Sequence, residues 1–213
     1  MHRVVVMARW PSPGRCKRRL SRDLALGLSL RQAPERVMRI QRRLTVHTAS
    51  VVMAMRDELQ LSPVLAVSGL GRRGALRWGR QLGIPDVRQQ GHGNLGCRIK
   101  RQLLRCHLDG HSCLIIGTDL PDLCPADLRD AMDSLKDHDL VLGPSEDGGY
   151  WLLGVGRSLV RHPEAWPLIG IPWGESDVLQ TTLTAADASG LSYTTLMLKG
   201  DIDHAQDLQR WQG

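Results

Sequence analysis

Two groups of carboxylates stand out by where they fall. Asp119 and Asp122 lie in TDLPDL, directly after the apolar run CLIIG, and Asp201 and Asp203 form a D-x-D pair after a strand-like run near the C-terminus. Carboxylate oxygens are the hard ligands that Mg²⁺ and Mn²⁺ prefer. Either cluster alone reads equally as a cap, with Asp119 or Asp122 closing the turn or the next helix and Asp203 serving as an N-cap. Two such clusters following strands of one sheet favour a shared divalent-cation site on Asp119, Asp201 and Asp203. A cationic counterpart lies in PSPGRCKRRL, where Pro11, Pro13 and Gly14 keep the backbone open just before a helix N-terminus. Unpaired N–H groups and the helix dipole favour an anion there, and Arg15, Lys17 and Arg19 supply charge within its reach. A Pro/Gly connector ahead of a solvated basic helix is the competing reading. The segment is not a Walker A loop.

Two further loops carry the same ambiguity. In SEDGGY, Glu146 and Asp147 could bind a ligand or act as a base, while Gly148 and Gly149 allow close backbone approach; a tight hairpin turn explains the glycines equally well. GHGNLG, spanning Gly91, Gly93 and Gly96, matches G-x-G-x-x-G literally. The preceding DVRQQ is too polar for a buried first strand, so a turn with glycines at positive φ is the better reading. Cys106, His107, His111 and Cys113 crowd together, but their spacing fits no familiar zinc pairing. The Arg-rich stretch 31–43 reads as an exposed helix face, lacking the aromatics and motifs of a nucleic-acid surface. No G-x-S-x-G elbow and no H-E-x-x-H occur.

These loops need a scaffold, and the pattern supplies one. Short β-type runs alternate with stretches of helical period, which predicts an α/β domain with a mainly parallel sheet. Strands are expected at 3–8, 64–69, 86–90, 113–118, 139–144, 150–155 and 192–198. Helices are expected at 17–27, 33–57, 72–82, 97–108, from Pro125, at 176–188 and from about 204. In open α/β sheets ligands bind beyond the carboxyl ends of the strands. PSPGRCKRRL, GHGNLG, TDLPDL and SEDGG all fall there.

The 213 residues, 42% hydrophobic and 23% charged, suit one domain over 1–213. No run of about 18 apolar residues exists to span a membrane, and the N-terminal apolar stretch is too short for a signal peptide. A cytoplasmic protein is expected. Five cysteines with no C-x-x-C pair argue for reduced thiols. The net charge of +6 conceals a division: residues 1–106 hold 22 Lys/Arg against 5 Asp/Glu, and residues 107–213 hold 6 against 17.

The ordered blocks VVVMARWPSPGRCKRRLS, QQGHGNLGCRI, LIIGTDLPDL, LVLGPSEDGGYWLLGV, GIPWGESDVLQTTL and KGDIDHAQDL resemble the glycosyltransferase-like family of radical-SAM and selenodomain-associated transferases, linked to arsenosugar biosynthesis. That family belongs to the nucleotide-diphospho-sugar transferase superfamily. The resemblance covers nearly the whole chain and implies the GT-A fold, a Rossmann-like α/β sheet flanked by helices. It implies that the loop of Pro13, Gly14, Arg15, Lys17 and Arg19 faces nucleotide phosphates, with Gly93 and Gly96 on the same side. Asp119 becomes the leading ligand for Mg²⁺ or Mn²⁺, with Asp201 and Asp203 completing the site. Glu146, Gly148, Gly149, Tyr150 and Trp173 fall on the acceptor or sugar side. Arg18 stands where the family usually has Thr, Glu175 where Thr is common, and His92 and Asn94 where acidic residues are frequent.

The leading expectation is metal-dependent glycosyl transfer from a nucleotide sugar to a small acceptor, with Asp119 and Asp147 as catalytic residues and Asp147 as the acceptor base. The rival is nucleotidyl transfer, since the Lys-x-Arg loop also resembles the triphosphate loop of molybdenum-cofactor and phospholactate guanylyltransferases; an NTP would then release pyrophosphate. A third reading, without catalysis, makes the basic half a binding module for nucleic acid or an acidic protein.

Overall fold

The computed structural model describes residues 2–27 and 32–211. The run RVVVMA places branched apolar residues on both sides of a strand, which suits a position buried on two faces. It forms β1 (His2–Arg9), with Val4, Val6 and Ala8 turned to one layer of core and Val5 to the other. β1 sits between β2 (Leu61–Ser68) and β4 (Cys113–Ile116) and runs parallel to both. β3 (Val87–Gln89) extends the sheet beyond β2. On the other side follow β6 (Tyr150–Val155), β5 (Leu140–Pro144) and β7 (Tyr193–Thr195), giving the order β3-β2-β1-β4-β6-β5-β7.

Every neighbouring pair is parallel except those made by β6, which returns through the SEDGG hairpin and runs antiparallel to β4 and β5. The helices are α1 (Arg18–Gly27), α2 (Ala33–Ala54), α3 (Arg72–Gln81), α4 (Leu95–Asp109), α5 (Pro125–Ser134), the single turn α6 (Arg157–Val160) and α7 (Val178–Ala188). One core layer joins β1, β2 and β4 to α2, α3 and α5, through residues such as Val52, Trp78 and Leu128. The opposite layer packs Ile99 and Leu103 of α4 and Ala186 of α7 on the same strands. A third cluster holds α1 on α2 through Leu20, Leu24, Val37 and Leu44, and includes Ile202.

The mainly parallel, helix-flanked α/β sheet expected from the sequence is the one observed. The last strand is shorter than the stretch 192–198. β5 slips register against β6 between Gly143 and Pro144, and past Thr195 the chain is tied alongside by separate bonds, from Leu196 N to Leu142 O, from Lys199 N to Pro144 O and from Glu146 N to Lys199 O. The final helical stretch, Ala205–Trp211, is 3₁₀ rather than α. Among the described residues no helix is long and apolar enough to cross a membrane.

Candidate functional site

Because β1, β2, β4 and β5 point the same way, the loops after them open onto one edge of the sheet. Three adjoining cavities lie there. One of about 610 Å³ is bounded by Arg9, Trp10, Arg15, Gly69, His92 and Arg98. A second, of about 400 Å³, shares Arg9, Arg15 and Arg18 with the first and adds Lys17, Arg19 and Asp203. The third, of about 560 Å³, shares Arg19, Thr118 and Asp119 with the second and is walled by Asp147, Tyr150, Trp173 and Asp201.

Lys17 lines the second cavity, against the Asp119 that this cavity shares with the third. Its backbone takes φ +40°, a left-handed conformation unusual for a residue with a side chain, just after Gly14 at φ +69°. The turn drives the side chain inward until it is 3% exposed, with Nζ 3.0 Å from Asp119 Oδ1 and 3.5 Å from Asp203 Oδ1. Burial works against the ammonium charge, but Asp119 and Asp203 outweigh it and hold its pKa above the ordinary lysine value. Arg19, at the surface, adds a contact of 3.7 Å to Asp203.

Asp119 is oriented from behind. Gln41, buried in α2, donates through Nε2 to Asp119 Oδ1 at 3.0 Å and to the Thr118 hydroxyl and carbonyl at 3.3 Å. Ile202 N donates to Asp119 O at 3.2 Å, so the two carboxylate loops are stitched together by backbone. Lys199, 7% exposed, reaches Asp127 at 3.2 Å and both the carbonyl and the carboxylate of Asp122. Asp122 therefore serves the scaffold, and Asp119 alone of the TDLPDL pair lines the cavities. Neither caps α5: Cys124 is the N-cap, and Asp127 returns a bond to the Cys124 N–H. Asp203 is not a cap either, since Asp207 accepts from the backbone of Asp203 and His204.

Asp201 lines the third cavity with no cation at ion-pair distance among the described residues. Burial, then Asp203 and Asp147, push its pKa up to about 6. A carboxyl raised above its unfolded value disfavours the charged native state, so its cost to stability appears as pH rises from about 4 through about 6. Asp201→Asn is accordingly expected to gain about 2 kcal/mol in urea unfolding at pH 7.5 and almost nothing at pH 4.

The fit to a divalent cation is chemical rather than preformed. Asp119, Asp201 and Asp203 offer the hard oxygens that Mg²⁺ or Mn²⁺ takes. Yet among the described residues no three acidic, histidine or cysteine side chains surround one point, and two of the available oxygens close on Lys17. The Cys106–His107–His111–Cys113 group does not assemble a metal site: the two sulfurs pair with each other at 3.0 Å and His107 bonds the Val160 carbonyl.

The third cavity has an aromatic wall. Tyr150 and Trp173 meet edge to face, with ring centroids 6.0 Å apart. Trp173 lies against Gly96 at the start of α4, where a Cβ would come within 2.1 Å of the indole Nε1. Gly96→Ala is expected to swing Trp173 off that wall, seen as a shift in tryptophan emission with far-UV circular dichroism unchanged. Asp147 Oδ1 accepts from the Ser145 hydroxyl and from Gly149 N at 3.0 Å, which fixes it at the cavity edge. Glu146 projects outside that lining, its backbone N–H bonded to Lys199 O.

The PSPGRCKRRL loop, TDLPDL, the hairpin and the D-x-D pair thus meet at one edge of the sheet. Pro13 is exposed beside Gly14, and Gly93, at φ +103°, shapes the turn before α4, whose N-cap is Asn94. The turn covers Gly91 to Asn94, with Gly91 and Gly93 at positive φ, while Leu95 and Gly96 already open α4. Of the Arg-rich stretch, Arg36, Arg39, Arg42 and Arg43 are exposed on α2, and Arg31 lies outside the described residues. Sequence reasoning missed Arg9, Gln41, Arg98 and Lys199. Gln41 had a signal: it falls in register with Val37, Ile40 and Leu44, a polar residue on an apolar stripe.

The family described as "Uncharacterized protein conserved in bacteria (DUF2064)" matches residues 48–175, more than half of the chain. No curated protein sequence matches. Among solved structures, a Desulfovibrio desulfuricans G20 protein provisionally classed as a nucleotide-diphospho-sugar transferase superposes with TM-score 0.80 at 24% identity, covering 98% of this chain and 85% of its own. A nucleotidyl transferase from Methanothermobacter gives 0.60 at 18%, with 99% and 95% coverage. The CMP:2-keto-3-deoxy-manno-octonic acid synthetase complexed with CTP gives 0.55 at 12%, with 99% and 96%. At these identities the likeness is one of fold.

Proposed function

The chain belongs to the DUF2064 family, and from that starting point we propose that it is a divalent-cation-dependent transferase that moves a glycosyl group from a nucleotide sugar to a small acceptor. The observation that carries this reading is the buried Lys17 ammonium of the basic cavity, paired with Asp119, which that cavity shares with the carboxylate-lined, aromatic one. Phosphates of the donor lie against Arg15, Lys17 and Arg19, where positive charge stabilises a departing diphosphate. Asp119, Asp201 and Asp203 are the residues that would hold Mg²⁺ or Mn²⁺, which when bound supplies further neutralisation of the leaving group. Asp147, fixed at the cavity edge, accepts the proton of the acceptor hydroxyl.

The chemistry of the third cavity favours glycosyl over nucleotidyl transfer. Asp119, Asp147, Glu175 and Asp201 line it against Arg19 alone. Carboxylates accept hydrogen bonds from sugar hydroxyls and aromatic rings cover their apolar faces, whereas a phosphorylated acceptor would meet like charge. Nucleotidyl transfer stays as the second reading because solved relatives of this fold include a nucleotidyl transferase and a CTP-bound synthetase. By-products separate them: with Mn²⁺ and nucleotide sugars or NTPs, nucleoside diphosphate is expected, and pyrophosphate would establish the rival. Asp119→Asn should remove Mn²⁺-dependent nucleotide stabilisation in thermal shift. Nucleic-acid binding that is steeply salt-dependent and survives this substitution would instead support a binding module.

A further inference from the structure

We propose that Arg98 selects the base of the nucleotide, favouring one with a carbonyl at the position remote from the sugar (guanine O6, uracil O4) over one with an amino group there (adenine N6, cytosine N4). The inference rests on the nucleotide-sugar reading and extends it to the part of the donor that the sequence motifs do not touch.

The first cavity has two ends. Arg9, Arg15 and Arg18 are shared with the phosphate cavity and mark the end where the diphosphate leaves. The other end is made by the turns after β2 and β3, with Gly69 at φ +83° and Gly91 at φ +79°, and by Arg98 one turn into α4. A nucleoside whose phosphates lie on Lys17 has its base at this second end.

Arg98 is held there by a chain of bonds. Gln90, buried, spends its amide N–H groups on the carbonyls of Ala8 in β1 and Ala66 in β2, at 3.1 and 2.9 Å. That fixes its Oε1, which accepts from Arg98 Nη1 at 3.5 Å, while Arg98 Nε donates to Gly93 O at 3.0 Å. A guanidinium carries five N–H donors and no acceptor. Two are used here, which leaves three on a side chain that lines the cavity. No carboxylate lines this cavity, and Ser12, Ser68 and Gln89 are neutral side-chain acceptors in it. A base carbonyl meeting Arg98 is paired; an amino group meeting it sets two donors against each other.

The test is isothermal titration of GDP, UDP, ADP and CDP with Mn²⁺ present. The wild-type protein is expected to bind GDP and UDP about tenfold or more tighter than ADP and CDP. Arg98→Ala should weaken only the first two and level the four. Arg98→Lys, still a donor without an acceptor but deprived of the fork that Gly93 O and Gln90 Oε1 hold, should keep the same preference in weakened form. Equal affinities in the wild type overturn the proposal while leaving the nucleotide reading intact, and need no variant to fold. Equal weakening of all four by Arg98→Ala also overturns it, assigning Arg98 to phosphate. No binding of any of the four overturns the nucleotide reading, and this inference with it.

Discussion

Lys17→Ala is expected to lower kcat/KM for nucleotide-dependent transfer by about 10²–10³-fold, the scale of losing a preorganised charge at a developing leaving group. The ammonium is 3% exposed and lies within 3.5 Å of both Asp119 and Asp203, so no neighbouring side chain can take its place. Its removal leaves two carboxylates facing each other and strips the second cavity of its one buried cation. Arg19, at 63% exposure, is too solvated to compensate. Lys17→Arg should not rescue activity, because a planar fork does not fit a site shaped around a compact ammonium. Lys17→Gly separates backbone from charge. It relieves the left-handed φ of +40° and should be more stable than Lys17→Ala by about 1 kcal/mol while equally inactive. Steady-state kinetics paired with thermal unfolding checks both, and a folded Lys17→Ala protein with activity within about tenfold of wild type would remove Lys17 from the chemistry.

What the sequence disclosed follows from the range over which each cause acts. RVVVMA and CLIIGT announce buried strands because burial on two faces demands continuous apolar residues, and both become central strands of the sheet. The loops after them announce themselves through Pro, Gly and charge. Pairings between distant segments do not. Nothing local to Lys199 says that its ammonium will reach Asp122 and Asp127, and nothing near Arg98 says that Gln90 will be pinned to β1 and β2. The single turn α6 is likewise too short for a helical period to register. The placing of Lys17 between two carboxylates depends on its own backbone turning left-handed, which its residue type disfavours.

The charge division acquires a spatial meaning in the sheet. Residues 1–106 contain β1, β2 and β3, which occupy one flank, and the acidic remainder contains β4, β6, β5 and β7 on the other. The boundary falls between β1 and β4, and the loops after these two strands supply Lys17 and Asp119. Placing the site there brings cations and carboxylates together without requiring either to be buried among its own kind. Most charges of both flanks, including Arg36, Arg39 and Arg42 on α2, lie away from the cavities on solvated faces.

Gly148→Ala should destabilise the protein by about 3–4 kcal/mol, lowering the unfolding midpoint by about 10 °C for a chain of this length. Two penalties coincide. Gly148 sits at φ +84°, which costs any other residue about 1 kcal/mol, and a Cβ there would lie 1.8 Å from the backbone oxygen of Ser176. Backbone cannot rotate aside as a long side chain can, so the loop carrying Trp173 and Glu175 must move. The same glycine's carbonyl accepts from Leu179 N at 2.9 Å and docks the start of α7, so the displacement reaches both the third cavity and the helix behind it. Gly170 provides the control. Its φ is +73° with open space around the missing Cβ, and Gly170→Ala should cost only the conformational part, about 1 kcal/mol. Equal losses at the two sites in chemical denaturation would mean that backbone conformation, not the approach of Ser176, requires glycine in the hairpin. A large difference, with Gly148→Ala also impaired in acceptor binding more than in nucleotide binding, would tie the hairpin to the acceptor side of the site.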